Sequence, residues 1–200
     1  MRSPMTDLVK RTDDLRDMLV GRATDTLKAG GTVYPTVAII ITKDPLTGTP
    51  IPGEDGLGLL IMVCASLEDE ADKDRYAEML RVVALAGEAE ASVIVADVYA
   101  LLTDKTIAHS TRVSEHADRQ NALAVWIERS DGTGTSEINI YRHDQGTIEL
   151  DEPKRYDGPV THIQGRFVVL PREAVPPDLL PLARGWLRMK SGSSMHWEKM

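Results

Sequence analysis

One cysteine and one phenylalanine in 200 residues set the first limits on this chain. A single thiol excludes an intrachain disulfide and any zinc site built on paired cysteines, and Cys64, set in the run LLIMVCA (59–65), reads as a small buried hydrophobe. With aromatics at only 4%, the core has to be aliphatic and gains little from ring stacking. No segment reaches the roughly 18 uninterrupted apolar residues of a membrane span, and residues 1–14 hold no apolar signal core, so a cytoplasmic, non-secreted protein is expected. Catalytic signatures are missing too: there is no G-x-S-x-G elbow, no H-E-x-x-H, and no glycine loop closing on Gly-Lys-Ser/Thr. GEDGLG (53–58) precedes a strand instead of opening a helix. Walker-type and dinucleotide-binding routes are therefore excluded, and neither a cofactor nor a metal is expected.

What is present is the composition of an ordinary globular domain, 42% hydrophobic and 27% charged, long enough to bury most of its apolar surface in one core. Thirty-one acidic against twenty-three basic side chains give a net charge of −8. That balance repels phosphate backbones, and the only basic cluster, Arg184, Arg188 and Lys190, is small, so nucleic acid is not an expected partner.

Ser3-Pro4 opens a helix and Gly30-Gly31 closes it, with Leu8, Leu15, Met18, Leu19, Ala23 and Leu27 at helical spacing between them. Strands are predicted over 33–42, which Pro35 confines to an edge or to the strand's first residues, and over 57–65. The Pro- and Gly-rich loop 43–56 between them reads as a mobile tip. Ser66 and Asp69 suggest a capping box for a helix running to Gly87, and the strand 91–102 after it allows a crossover in which 57–65 and 91–102 run parallel. The polar stretch 103–120 reads as a second mobile loop. Alternation over 123–128 and 137–143 around SDGTGT marks a hairpin, 146–150 a short strand, 151–159 a loop, 162–170 a last strand, and Pro177 a short C-terminal helix. The expected fold is a single α+β domain over 1–190, followed by a flexible tail 191–200. Its sheet is mainly antiparallel, of five to seven strands, with the N-terminal and central helices packed on one face.

Chemistry is concentrated in ASVIVADVYALL (91–102), an apolar run holding one charge. A carboxylate there must be paired, protonated or exposed to a cleft. A period of two puts Asp97 and Tyr99 on one face, about 7 Å apart by strand rise. Asp97 is either an acid, base or ligand with Tyr99 orienting it, or a buried carboxylate tied by hydrogen bonds to loop amides or to an arginine, for which Arg119 is the attractive candidate; the structural role is favoured. His116 and Asp118 could complete a two-carboxylate, one-imidazole site, a spacing that is not diagnostic. Trp126, opposite Leu123, Val125 and Ile127, is either covered by a terminal helix or offered to a partner.

The succession of a strand carrying Asp97 and Tyr99, a polar loop ending HADRQNAL (116–123), and an alternating strand closing on Asp131-Gly132 resembles the layout of small uncharacterised proteins of bacterial viruses and prophages. The resemblance covers 91–132 and transfers no catalytic residue. The functional expectation is a non-enzymatic accessory or interaction protein contacting a protein partner or a second copy of itself, and neither nucleic acid nor membrane. The rival is a hydrolase or metal-dependent enzyme centred on Asp97 with His116 and Asp118.

Overall fold

The structure is a computed structural model that describes residues 4–53, 55–64, 69–100, 117–144, 147–159, 168–171 and 175–191. In chain order these form α1 (Pro4–Lys28), β1 (Thr36–Ile41), β2 (Gly58–Val63), α2 (Glu70–Ala86), β3 (Ala89–Ala100), β4 (Gln120–Arg129), β5 (Thr133–Asp144), β6 (Thr147–Leu150), β7 (Lys154–Pro159) and α3 (Leu179–Ser191). The seven strands make one sheet in the order β2-β1-β3-β4-β5-β6, with β7 also on β5, and every pairing among them is antiparallel. The fold is α+β, as the sequence indicates.

The period-two pattern places alternate residues of each strand on opposite faces, and both faces are covered. On one face, Ala38, Val93, Val95, Leu123, Val125 and Ile127 pack against Leu19, Ala23 and Leu27 of α1. On the other, Val37, Ile39, Ile41 and Ile94 pack against Leu80, Val83 and Ala84 of α2 and Ala183 and Leu187 of α3. The two long helices thus lie on opposite faces, not on one as expected. β1 and β3 are apolar on both sides because each side meets a helix, a demand that helices on one face alone would not make.

The local signals act as their chemistry requires. α1 stops in a Schellman turn: Gly30 takes φ +73°, and the Gly31 and Gly30 amides donate to Thr26 and Leu27 carbonyls at 2.9 Å. The cap of α2 is Asp69, whose carboxylate accepts from the Asp72 amide at 2.7 Å, while Ser66 lies outside the described residues. Gly87 then turns directly into β3; a Cβ there would sit 2.7 Å from Ile41 Cγ2, so closeness to β1 requires glycine. β2 and β3 both flank β1 antiparallel, so they run parallel to each other as the crossover predicts, with β1 between them.

Two segments carry more structure than the sequence indicates. The loop 43–56 is built as a folded tip: Asp44 accepts from the Leu46 and Thr47 amides, Leu46 and Ile51 join the core, and the Arg184 guanidinium lies against Gly48 while donating to the Ala86 carbonyl. The stretch 151–159 contains β7, a strand whose Lys, Arg, Asp, Gly and Pro residues hide it from propensity but suit an exposed edge. α3 ends at Ser191. The expected loop 103–120 falls mostly outside the described residues, as do the greater part of the expected strand 162–170 and the tail beyond 191.

Candidate functional site

β3 carries its burial in two halves. Ala91–Ala96 are buried; from Asp97 onward the strand projects beyond the helices and alternates between exposed and half-buried. Asp97 is exposed, not buried as its apolar neighbours suggested, because the covering helix α1 packs lower on the strand, against Val93 and Val95. Cross-strand register sets Asp97 beside Leu123 and Tyr99 beside Asn121, while Leu123 lies beside Asn139, two residues before Tyr141, by the β4–β5 register. The Tyr141 hydroxyl donates to Asp97 Oδ1 at 2.8 Å. The Arg119 guanidinium, expected on Asp97, instead lies over the Tyr99 ring, 5.2 Å from its centroid. Asp118 occupies the exposed turn before β4, and His116 lies outside the described residues.

Asp97, Tyr99, Tyr141 and Arg119 therefore form one polar and aromatic patch at the end of the sheet. Burial, the hydrogen bond to Asp97 and that carboxylate's charge raise the Tyr141 hydroxyl above its ordinary range, so it stays protonated and acts as a donor at neutral pH. Asp97 is accordingly an exposed carboxylate that accepts from the Tyr141 hydroxyl. Among the described residues, no group of three or more His, Cys, Asp or Glu is placed to hold a metal ion.

The deeply buried charges are elsewhere, at positions the alternation assigned to a polar face. Glu128 on β4 is fully buried toward α2 and α3; its Oε2 accepts from Ser92 Oγ at 3.1 Å, the Val169 amide at 2.8 Å and the Leu170 amide at 3.2 Å. Toward α1, Glu137 is equally buried. It is bound at Oε2 by Arg16 Nε at 3.0 Å and by Arg16 Nη2, while Arg129 donates to Thr12 Oγ1 at 3.0 and 3.2 Å. Asp157 on β7 accepts from Thr135 at 2.6 Å, and Arg155 reaches both Asp157 and Asp13. These contacts clamp α1, the β4–β5 hairpin and β7 together. Arg16 pairs with Glu137 and Arg155 with Asp157 and Asp13, while Arg129 is tied to Thr12, the pattern of a structural network. Sequence alternation marked Glu128 as polar, but the signal that would have found it, a second covering layer, is a tertiary property. Trp126, beside it on the same face, packs against the α2 and α3 cluster and is therefore covered from the C-terminal helix side.

The sheet's two edges differ sharply. One is made of β6 and β7, where Glu149, Lys154, Arg155, Asp157 and Pro159 discourage another strand from pairing. The other is β2, GLLIMV, with no charge and no proline. Its Cys64 amide donates to the Pro35 carbonyl at 2.8 Å. In an antiparallel ladder alternate residues face the same neighbour, so Gly58, Leu60 and Met62 also turn their amides and carbonyls to β1, while Leu59, Ile61 and Val63 turn theirs outward. No described strand pairs with that outer side.

Two grooves run between α1 and β2. One, about 330 Å³, is lined by Asp14, Met18, Leu57 and Leu59; the other, about 240 Å³, by Arg22, Tyr34, Ile61 and Val63. Val63 and Tyr34 are exposed, at 55% and 45%. α3 carries another exposed apolar strip, Leu182 and Met189, on a helix whose chain runs on into residues outside the described set. Among the described residues no helix is long and apolar enough to cross a membrane. Comparisons with protein-family models, with curated proteins and with solved structures find no match to this chain.

Proposed function

We propose that the protein is a non-enzymatic interaction module of the cytoplasm that takes up an extended protein segment along the free side of β2. The observation that carries this reading is the contrast between the sheet's edges: one is defended by charge and proline, and the other is apolar, uncharged and lined by two grooves. Strand addition uses those features directly. Main-chain hydrogen bonds to Leu59, Ile61 and Val63 supply affinity, and the grooves accept alternate side chains. An accessory role fits the resemblance of 91–132 to small proteins of bacterial viruses, and the net charge of −8 argues against nucleic acid as the partner.

The test is selection of displayed extended peptides on the purified chain, with Ile61→Pro as the counter-selecting surface. The Ile61 amide faces outward, so proline there removes a donor to the ligand and none to β1. Enrichment of aliphatic peptides that bind the native chain and lose binding to Ile61→Pro supports the reading. Enrichment of peptides that bind both proteins equally, or no enrichment at dilutions where the chain is monomeric, contradicts it.

A further inference from the structure

Resting on that reading of the β2 edge, we infer that its occupant is β2 of a second copy of this chain, giving a dimer in which two seven-stranded sheets join antiparallel about a two-fold axis. A strand can pair with its own copy only if it repels nothing in itself, and β2 has no charge to set against itself. The geometry restricts the register. A two-fold axis perpendicular to the sheet keeps each copy's α1 face on the same side, so residues of the α1 face must sit opposite one another. Leu59, Ile61 and Val63 are on that face, and they are also the residues whose amides and carbonyls point outward. The register centred on Ile61 satisfies both conditions: Ile61 opposes its own equivalent, and Leu59 opposes Val63 of the other copy. Each of these three pairs then exchanges both main-chain hydrogen bonds.

The surroundings of β2 are complementary under the same rotation. Asp14 lines the groove at the Leu59 end, beside Arg11, whose charge is already paired with Asp55, and Arg22 lines the groove at the Val63 end. Both are exposed, and neither has an ion-pair partner among the described residues. Antiparallel pairing brings the Asp14 end of each copy against the Arg22 end of the other, twice per dimer. It also carries the exposed Tyr34 and Val63 of one copy toward Leu57 and Leu59 of the other, so the least covered apolar groups of the edge meet apolar surface. Electrostatic pairs at such a rim fix register and partner choice more than they add affinity, so they provide a specific test of this orientation.

The experiment is sedimentation equilibrium of the full chain across a concentration series, with circular dichroism of each variant as a check on folding. The wild-type protein is expected to weigh two chains at micromolar concentration, and Ile61→Pro and Ile61→Lys to weigh one with unchanged circular dichroism. Arg22→Asp should raise the dissociation constant about tenfold or more, and the swap Asp14→Arg with Arg22→Asp should restore it. Ile61→Cys should cross-link to its own equivalent on oxidation, whereas the wild-type chain, whose one cysteine is buried, should not. A wild-type chain that is monomeric throughout, a dimer untouched by Ile61→Pro, or a charge swap that fails to rescue Arg22→Asp overturns the inference. A monomer that still selects edge-binding peptides refutes self-pairing alone, and a monomer that selects none refutes the edge reading as well.

Discussion

Glu128→Ala is predicted to be among the most destabilising single substitutions in this protein. In the native chain one carboxyl oxygen receives three donors: the Ser92 hydroxyl, its cross-strand neighbour, and the consecutive amides of Val169 and Leu170. Removing the acceptor leaves two main-chain N–H groups facing the core, each costing about 1–3 kcal/mol if water does not reach it. The Ser92 hydroxyl can rotate and loses less. The lost side-chain volume adds a cavity under Trp126, and local relaxation subtracts, so the net expectation is about 3–5 kcal/mol, a large share of the roughly 5–15 kcal/mol that holds a domain together. Glu128→Gln should cost less, about 1–3 kcal/mol. It keeps one acceptor but converts the other oxygen, which has no hydrogen-bond partner, into an amide needing acceptors in a closed space. Urea unfolding followed by tryptophan fluorescence measures both, since Trp126 lies on the same face one turn of the pleat away. A loss below about 1 kcal/mol for Glu128→Ala would refute the view that this carboxyl holds 169–170 onto the sheet.

Arg16→Met should cost about 3–5 kcal/mol by stranding Glu137, whose side chain is 1% exposed, and the double change Arg16→Met with Glu137→Leu should recover most of that, a cycle read by urea unfolding. The Thr135 hydrogen bond, and then Arg155, hold the Asp157 carboxyl below its ordinary range. Its stabilising effect is therefore complete above the unfolded value near pH 4 and is lost as pH falls below it, so Asp157→Asn should flatten the acid limb of a stability profile recorded from pH 7 to pH 2.5. Burial pushes the Cys64 thiol up to about 11; thiol reagents at pH 8 should therefore label the folded chain at least a hundredfold more slowly than the urea-unfolded one, and comparable rates would contradict its burial.

Helices, the central strands and the hairpin were legible because each had both a period and a stop signal: the glycine pair after α1, the Asp-Gly turn after β4. Alternation also placed Asp97 and Tyr99 together. It could not say how far up β3 the covering helix reaches, and so Asp97, in an apolar run, looked buried. The same limit hid Glu128 and Glu137. A half-covered sheet and a doubly covered one share the same alternation, and only the arrival of α2 and α3 over Glu128, and of α1 with Arg16 over Glu137, turns a polar position into an interior one. β7 escaped because edge strands are stabilised by their neighbour's hydrogen bonds and protected by residues that otherwise read as loop. The β2 edge was visible as an apolar strand, but that no second described strand pairs with it is a fact of topology.

The claim that β2 offers its outer side to another strand is tested most directly by residue-resolved amide exchange on the full chain, dilute and concentrated. The account predicts alternation in dilute solution, with Leu60, Met62 and Cys64 slow and Leu59, Ile61 and Val63 fast, and the latter three slowing at least tenfold as concentration rises while the former stay as they were. Uniform protection of all six at every dilution, or outward amides that remain fast at high concentration and in the presence of selected peptides, would contradict it.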